Sequence, residues 1–456
     1  KPSDTATYYG TDGNWNQVCA CGMVAGALAV YEKDKQISAD IIERNVVSNR
    51  NMAKLIYYPD GNYSEGYSYW RYGTGFQTIL IGMLEEIFGH SSKLDSTPGF
   101  DRTAEYMLFM DGLTGSFGYA DGGSTGLAAK TGMWWFARHA NDMSLVANEL
   151  RLLRNVTEYR NGSESRVMFS LPTIINKIDV DYNITVRHDK DLWYGRGKQP
   201  IVMVHTGWNW DEGDHYLGIK AGVPSDGHDH MDVGSFVYEA QGQRWSTDLG
   251  KYNYADMEVE FRKLGGAGSG QTSLRWDVLR LNNFGHSTIS VNAFDGSFQK
   301  RYVSDHNFSG TGEITSVIES AGELGATIDM SQVLKGQVAS ATRTIKLVDK
   351  TKLVIVDRIT ALDNLDAPVL WHMITPASVA VKSGYEILTN GGKTMYLSAE
   401  SSIPLDIKYI GDEYVRPSWF TPRTWDEKES VLIAGYECTI PKGRTVTLTT
   451  TVSPTR

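Results

Sequence analysis

The sequence predicts an α+β chain of several domains, with a helical part followed by an antiparallel β-sandwich. Its 456 residues suffice for two or three domains. Up to about residue 160, apolar residues recur three and four positions apart, as on one face of a helix. From Ile201 onward, β-branched residues alternate with polar ones, as in strands. We therefore place a helical domain at residues 1–160, a linker and the start of the β region at 161–200, and the β-sandwich at 201–456.

The helical part contains four segments with helical spacing. They cover residues 23–32, 37–54, 76–88 and 142–154. Turns rich in glycine and proline, at residues 59–62 and 97–99, lie between them. Antiparallel helix pairs joined by loops are the simplest arrangement for this pattern.

The β part contains short segments in which apolar and polar residues alternate. They cover residues 234–240, 288–291, 344–348, 352–357, 431–436 and 445–449. Glycine, aspartate and asparagine turns separate them, which is typical of an antiparallel β-sandwich.

Composition restricts the class of function. A net charge of −10 argues against a nucleic-acid partner, which normally requires a basic stripe. No run of 18 apolar residues is present, so we expect no membrane span. The 12 Trp and 24 Tyr residues can supply flat surfaces on which sugar rings stack. A large hydrophobic core also contains many aromatic residues, so it explains part of this number. Three cysteines do not make a disulfide framework.

Residues 227–236, GHDHMDVGSF, contain the densest group of polar side chains in the β part. Read as a strand, this segment directs His228, His230 and Asp232 to one face. Asp248 and His286 follow further along the chain. Two imidazoles and a carboxylate suit Zn²⁺ and favour Mn²⁺ less. The alternative is a purely structural histidine pair.

Two segments of the helical part carry a second group of polar and aromatic residues. The first is NWNQV at residues 14–18, which precedes an apolar helix and provides either N-caps or ligand contacts. The second is PDGNYSEGYSYWRYG at residues 59–73. It is either an aromatic helix start packed on a neighbour or a sugar-binding wall that carries a phenolic acid or base.

These segments, together with RWSTDLG at 244–250 and NNFGHS at 282–287, occur in an order that resembles the heparinase II/III-like polysaccharide lyases. That superfamily includes alginate lyases and is related to dermatan-sulfate epimerases. The resemblance covers residues 14–290 and implies an incomplete (α/α) toroid followed by stacked antiparallel sheets. The helical part is short for a toroid of this family, so we expect N-terminal helices of the toroid to be missing from this chain.

The resemblance implies roles for individual residues. Tyr69 is similar to the catalytic tyrosine, Asn16 to the asparagine that contacts the substrate carboxylate, and His228 to the catalytic residue of the β domain. His230, Asp248 and His286 match the ligands of a structural divalent metal, for which zinc is favoured. Alternatives and further contacts remain open. Tyr67 and Tyr72 are alternatives to Tyr69, and Asn14 to Asn16; the expected sugar contacts are Trp15, Gln17, Trp70, Arg71 and Tyr72.

The function implied is cleavage of a uronic-acid polysaccharide, such as a glycosaminoglycan or alginate, by β-elimination. A hydrogen-bond donor such as Asn16 would stabilise the charge that develops on the uronate, and Tyr69 would move the proton. An unperturbed phenol has a pKa of about 10, so a nearby positive group must help it to ionise. A uronyl C5-epimerase and a non-catalytic glycan-binding protein are the alternatives. A hydrolase is disfavoured because no carboxylate pair is evidently placed for it. Such a substrate implies a periplasmic or secreted location.

Overall fold

The protein is described by a computed structural model that covers residues 7–123, 129–154, 189–263, 265–291, 305–411 and 432–456. The chain forms two compact units. The helical unit comprises Lys1–Asp111, Gly126–Asp189 and Gly195–Gly197; the β-rich unit comprises Gly112–Thr125, Lys190–Tyr194 and Lys198–Arg456. The segment Gly112–Thr125 therefore belongs to the β-rich unit although helices precede and follow it in the sequence, which the boundary near residue 160 did not foresee. Most of the expected linker, residues 161–188, lies outside the described residues.

The helical unit contains the first six α-helices of the described chain. Helices α1 to α6 span Asn14–Ala29, Lys35–Ile56, Tyr67–Phe88, Thr103–Met110, Thr131–Ala140 and Ala147–Arg154. All four segments predicted as helical overlap helices, the last one through a 3₁₀ turn followed by α6. Helices α4 and α5 were not predicted because they are buried over most of their surface and show no polar face. No helix in the described parts of the chain is long and apolar enough to cross a membrane.

Helices α1 and α3 approach each other closely at Gly73. A Cβ atom at this position would lie 2.2 Å from Gln17 Oε1 and 2.6 Å from Tyr63 Oη. A side chain here would force these buried groups to shift, so glycine favours the close approach of the two helices. The N-terminus of α2 is capped by Asp34, whose carboxylate accepts a hydrogen bond of 3.0 Å from the Ile37 N–H.

The β-rich unit contains strands β1 to β17 and helix α7. The first strands, β1 to β6, span Leu192–Gly195, Ile201–His205, Tyr216–Lys220, Phe236–Ala240, Gln243–Ser246 and Ile289–Val291. Helix α7, Tyr254–Lys263, lies between β5 and β6 in the sequence. Strands β7 to β12 span Glu313–Ser320, Glu323–Asp329, Ser340–Val348, Lys352–Thr360, Ala367–Thr375 and Ser378–Lys382. Strands β13 to β17 span Tyr385–Asn390, Lys393–Ser401, Lys408–Tyr409, Leu432–Ile440 and Thr445–Ser453.

Within the described residues, these strands form three antiparallel sheets. Their strand orders are β1-β2-β3-β4-β5, β12-β13-β14-β17-β10-β9-β8-β7 and β15-β16-β11-β6. In the largest sheet, Arg343 of β9 pairs with Asp357 of β10 in register, and the two buried side chains form an ion pair of 2.7 Å. Alternate residues of the same strands, such as Ile345 and Ile355, enter the shared apolar core. This is the period-two burial that the sequence predicted.

The strand predicted for His228 to Asp232 is wrong. The chain between β3 and β4 is irregular, and His228 lies in a turn with a φ of +75°. This left-handed conformation is uncommon for a residue with a side chain and interrupts any ladder. Helix α7, which was not predicted, begins at Tyr254.

Candidate active and metal site

In the β-rich unit, one carboxylate joins the two histidines of the His-Asp-His segment. Asp121 Oδ2 lies 3.0 Å from His228 Nδ1, and Asp121 Oδ1 lies 3.0 Å from His230 Nε2. Tyr254 Oη donates a short hydrogen bond to Asp121 Oδ2 and lies 2.8 Å from His228 Nδ1. Arg275 Nη2 reaches the same carboxylate at 3.3 Å. Because an ionised carboxylate only accepts hydrogen bonds, both histidine nitrogens that face Asp121 must carry protons.

The charge on Asp121 is stabilised although its side chain is buried. Burial alone would raise its pKa, but the hydrogen bonds from His228 and His230 and the charge of Arg275 hold the pKa well below its usual range. Asp121 sits in the 3₁₀ turn Ala120–Gly122, and its backbone N–H donates to the His228 carbonyl at 3.1 Å. The loop between β3 and β4 that carries His228 and His230 is called the histidine loop below. The 3₁₀ turn is thus joined to the histidine loop by a backbone hydrogen bond and by the Asp121 side chain.

Two further residues of this loop, Asp229 and Asp232, anchor it through contacts of their own. Asp232 accepts a hydrogen bond of 2.6 Å from the fully buried ammonium of Lys220. Asp229 accepts a short hydrogen bond from Gln199 and one of 3.0 Å from the Asp226 N–H. Asp232 therefore does not share a ligand site with the two histidines, as the strand interpretation had suggested. Anchors of this kind keep His228 in its strained backbone conformation.

His230, Asp248 and His286 form the group that the sequence predicted as metal ligands. All three are buried, and one potential ligand atom from each lies within 4.8 Å of the others. Asp248 Oδ2 and His286 Nδ1 are 3.0 Å apart, a separation that fits a hydrogen bond or two ligands on one ion. Asp248 follows β5, and His286 follows a 3₁₀ turn at Asn283–Gly285.

The state of His230 supports a metal at this position. Its Nε2–H donates to Asp121, while its buried Nδ1 has no hydrogen-bond partner among the described residues. Burial lowers the pKa of His230 and thereby favours the neutral ring, in which Nδ1 carries a lone pair. A neutral imidazole that donates its other N–H to a carboxylate is the usual state of a histidine ligand. The residues present therefore fit a divalent ion.

In the helical unit, the starts of α1 and α3 are linked by Glu65. Its carboxylate accepts hydrogen bonds from the backbone N–H of Asn14 at 2.9 Å and from the Asn14 side chain at 3.1 Å. Asn14 is thus the first residue of α1 and is itself held by a carboxylate, while Gly13 occupies the N-cap position. A negative charge at a helix N-terminus is favourable.

Asn16 and Gln17 are fully buried. Asn16 Nδ2 donates to the Tyr8 carbonyl at 3.0 Å and to Ser48 Oγ at 2.9 Å. Gln17 Nε2 donates to Tyr57 Oη at 2.5 Å, and Gln17 Oε1 accepts from Tyr63 Oη at 2.7 Å. These amides join α1 to neighbouring segments, and Gln17 offers no surface to a ligand in this structure.

The aromatic start of α3 divides into a buried and a half-buried set. Trp70 is buried and donates its indole N–H to Thr103 Oγ1 at 2.7 Å, so it is an interior residue and not a sugar-stacking surface. Tyr67 is also buried and donates to Asp111 Oδ1 at 2.9 Å. Tyr69, Arg71 and Tyr72 are half-buried. On α1, Trp15 is 61% exposed.

Asp121, Tyr254 and Arg275 were missed by the sequence analysis. They come from three separate segments, and only the fold brings them to His228. The Tyr-Ala-Asp-Gly-Gly run at residues 119–123 was a usable signal for a turn that exposes a carboxylate to other segments, since Asp and Gly both favour turns.

A family model described as "Heparinase II/III-like, C-terminal" matches residues 195–449, which is more than half of the chain. The chain belongs to this family. The heparinase II/III-like assignment made from the five sequence segments is thus confirmed. The matched region contains His228, the three candidate metal ligands and Tyr254. The sequence has no significant match among curated proteins.

Solved structures with the same fold include heparinase III and a heparan sulfate lyase. The crystal structure of heparinase III has a TM-score of 0.64 and 10% identity; the alignment covers 97% of this chain and 61% of that one. Heparan sulfate lyase HepC from Pedobacter heparinus has a TM-score of 0.54 and 12% identity, with 95% and 59% covered. The chain thus spans about three-fifths of the length of these structures. At such identities the likeness shows the fold alone, and it confirms an incomplete (α/α) toroid followed by an antiparallel β-sandwich.

Proposed function

We propose that this protein is a polysaccharide lyase that cleaves a uronic-acid-containing glycosaminoglycan by β-elimination. The observation that carries the proposal is the placement of His228, whose Nδ1 is held by Asp121 and Tyr254 next to a buried trio that fits a metal. Membership of the heparinase II/III-like family and the fold of heparinase III support it. The heparan sulfate lyase among the similar structures makes heparan sulfate the first substrate to test.

In the proposed reaction, Tyr69 removes the C5 proton of the uronate, the C4–O bond breaks, and the leaving oxygen takes that proton from Tyr69, which returns to its starting state. The product then carries a C4–C5 double bond, and no water is consumed. Because Asp121 fixes a proton on His228 Nδ1, the Nε2 atom of that ring acts as the acceptor toward the substrate. General acid–base residues of this kind typically contribute a rate factor of about 10² to 10⁴.

Asn16 is assigned to the uronate carboxylate by the family resemblance. In this structure both of its side-chain N–H groups are already used, by Tyr8 and Ser48. Donation to a substrate would require one of them to be exchanged. Comparing Asn16→Ala with Ser48→Ala separates the two roles: a catalytic Asn16 predicts a much larger fall in kcat for the first variant.

The proposed metal is a divalent ion held by His230, Asp248 and His286, and zinc is the ion this donor set favours. Bound there, it would act as a structural ion that fixes the histidine loop. The proposal includes a periplasmic or secreted location, because long acidic polysaccharides occur outside the cytoplasm.

The test is to incubate the protein with heparan sulfate, chondroitin sulfate and alginate and to follow the ultraviolet absorbance of the unsaturated uronate. Tyr69→Phe should lower turnover at least about a hundredfold. Tyr31→Phe, at an exposed tyrosine that follows α1, should stay within about tenfold and serves as the matched control. Exchange of the C5 proton with solvent but no absorbance would instead indicate an epimerase. Glycan binding that survives in Tyr69→Phe, with no turnover in the wild type, would indicate a binding protein.

A further inference from the structure

The carboxylate of Asp121 touches a candidate metal ligand with one oxygen and the candidate catalytic histidine with the other. Oδ1 accepts from His230 Nε2 and Oδ2 accepts from His228 Nδ1, both at 3.0 Å. The side chain is 1% exposed, so solvent does not compete for either oxygen. A rigid, buried carboxylate cannot turn to follow one histidine without moving away from the other.

We propose that Asp121 is a positioning residue that couples occupancy of the metal site to the orientation of His228. A divalent ion held by His230, Asp248 and His286 would restrain the His230 ring, and that restraint would reach His228 through the two oxygens of Asp121. The part of this proposal that concerns His228 rests on the proposed function. The part that concerns metal affinity does not.

The surroundings of Asp121 favour a coupling device over a simple packing contact. Tyr254 and Arg275 also bind the carboxylate at Oδ2, so its position depends on these two groups as well as on the two histidines. Arg275 is anchored in turn, since its Nη2 donates to the Asp229 carbonyl at 3.0 Å. That carbonyl belongs to the residue between the two histidines. The same guanidinium therefore holds both the carboxylate and the loop backbone.

The first experiment measures Zn²⁺ affinity of the intact chain by competition with a chelating dye. Asp121→Asn keeps the size of the side chain but removes the charge that orients His230. Loss of such a partner typically weakens metal binding about 10- to 100-fold. Tyr254→Phe is the matched control, because its hydroxyl binds Asp121 Oδ2, the oxygen that faces His228, whereas His230 binds Oδ1. It should bind Zn²⁺ within about twofold of the wild type.

Two results would overturn the first part. One is an Asp121→Asn protein that is folded by circular dichroism and binds Zn²⁺ with wild-type affinity. The other is an equal loss in Tyr254→Phe, because the effect would then reflect general loop packing. Neither result depends on turnover, so they are distinguishable from a failure of the lyase proposal.

The second experiment measures the coupling directly. Its main measurement uses the wild-type chain, so it does not depend on whether an Asp121 variant folds. In ¹⁵N-histidine NMR spectra of the wild-type chain, addition of Zn²⁺ should shift the ring nitrogens of His228 as well as those of the ligands. His228→Gln identifies the His228 signals by their absence. In Asp121→Asn the ligand signals should still move while those of His228 stay in place. A wild-type His228 spectrum that is unchanged by Zn²⁺ would overturn the coupling.

Discussion

The ammonium of Lys130 lies 2.7 Å from the carboxylate of Asp111, and both side chains are shut off from solvent, with exposures of 1% and 0%. Glu149 provides a second carboxylate at 3.1 Å. Burial alone would lower the pKa of Lys130, but the charge of Asp111 raises it above its usual range. The helical unit therefore contains a buried cation with two acidic neighbours.

Removing this cation should lower the stability of the folded protein. Lys130→Met would leave Asp111 and Glu149 buried without a counter-charge, so we expect a loss of about 3–5 kcal/mol in the free energy of unfolding. Denaturant unfolding followed by circular dichroism measures it. Lys54→Met, at an exposed position of α2, is the control and should change stability by no more than about 0.5 kcal/mol. A Lys130→Met protein as stable as this control would contradict the prediction.

Replacing either of two glycines of α3 with alanine should change the stability of the protein, but in opposite directions. At Gly73 the added Cβ would clash with Gln17 Oε1 and Tyr63 Oη, so Gly73→Ala should cost about 1–3 kcal/mol. At Gly82 no atom lies within 4 Å of an added Cβ, and alanine is the better helix former, so Gly82→Ala should stabilise by about 0.5–1 kcal/mol. Thermal unfolding of the two variants checks both signs. Similar melting temperatures for the two would show that α1 and α3 are not tightly apposed.

Asp60 should contribute to acid sensitivity. Its hydrogen bonds from Arg196 lower its pKa, with a further contribution from the charge of Arg102, so the carboxylate is more easily ionised in the folded state. The resulting stability is present above the unfolded pKa of about 3.9 and is lost as the pH falls through the lower, folded value. Asp60→Asn should therefore be less stable than the wild type at neutral pH, and the difference should vanish in acid. Asp101→Asn, at an exposed carboxylate, is the control, and an equal pH profile for both variants would refute the assignment.

Metal removal should destabilise the protein. If Zn²⁺ binds the buried trio and is present at about 100 times its Kd, it stabilises the fold by about 2.7 kcal/mol, which a chelator would abolish. His286→Ala should show no chelator effect. A half-exposed group, Glu85, Asp95 and His139, is the other set of potential ligands in the described residues. His139→Ala therefore serves as the control and should retain the full chelator effect. The opposite pattern would indicate that the ion binds this half-exposed group and not the buried trio.

Periodicity predicted the fold class and several elements well, and it failed where burial or tertiary contacts override the local pattern. The strands β9 and β10 alternate clearly because one face packs into the core. Helix α5 gave no signal, since residues on all its sides are buried. The same limit applies to the site. Short segments around His228, His230, Asp248 and His286 were recognisable from the sequence.

What the sequence could not supply was the long-range partner of each group. Asp121 is 107 residues from His228 along the chain, and no local pattern links them. Burial also differs between two tryptophans that the sequence segments both predicted as sugar contacts: Trp70 is interior, whereas Trp15 is exposed. Exposure is a property of the packed chain, so the motif alone predicted a sugar contact for both. The roles of Tyr69 and Asn16 remain predictions.

The assignment of Gly112–Thr125 to the β-rich unit has a practical consequence for dissecting this protein. A single cut anywhere between residues 155 and 190 would leave Asp121 on the wrong fragment. An isolated C-terminal fragment would retain His228 and His230 but would lose the carboxylate between them. Separate expression of the two halves is therefore a poor way to study either one, whereas a mixture of both fragments would test whether they can reassemble.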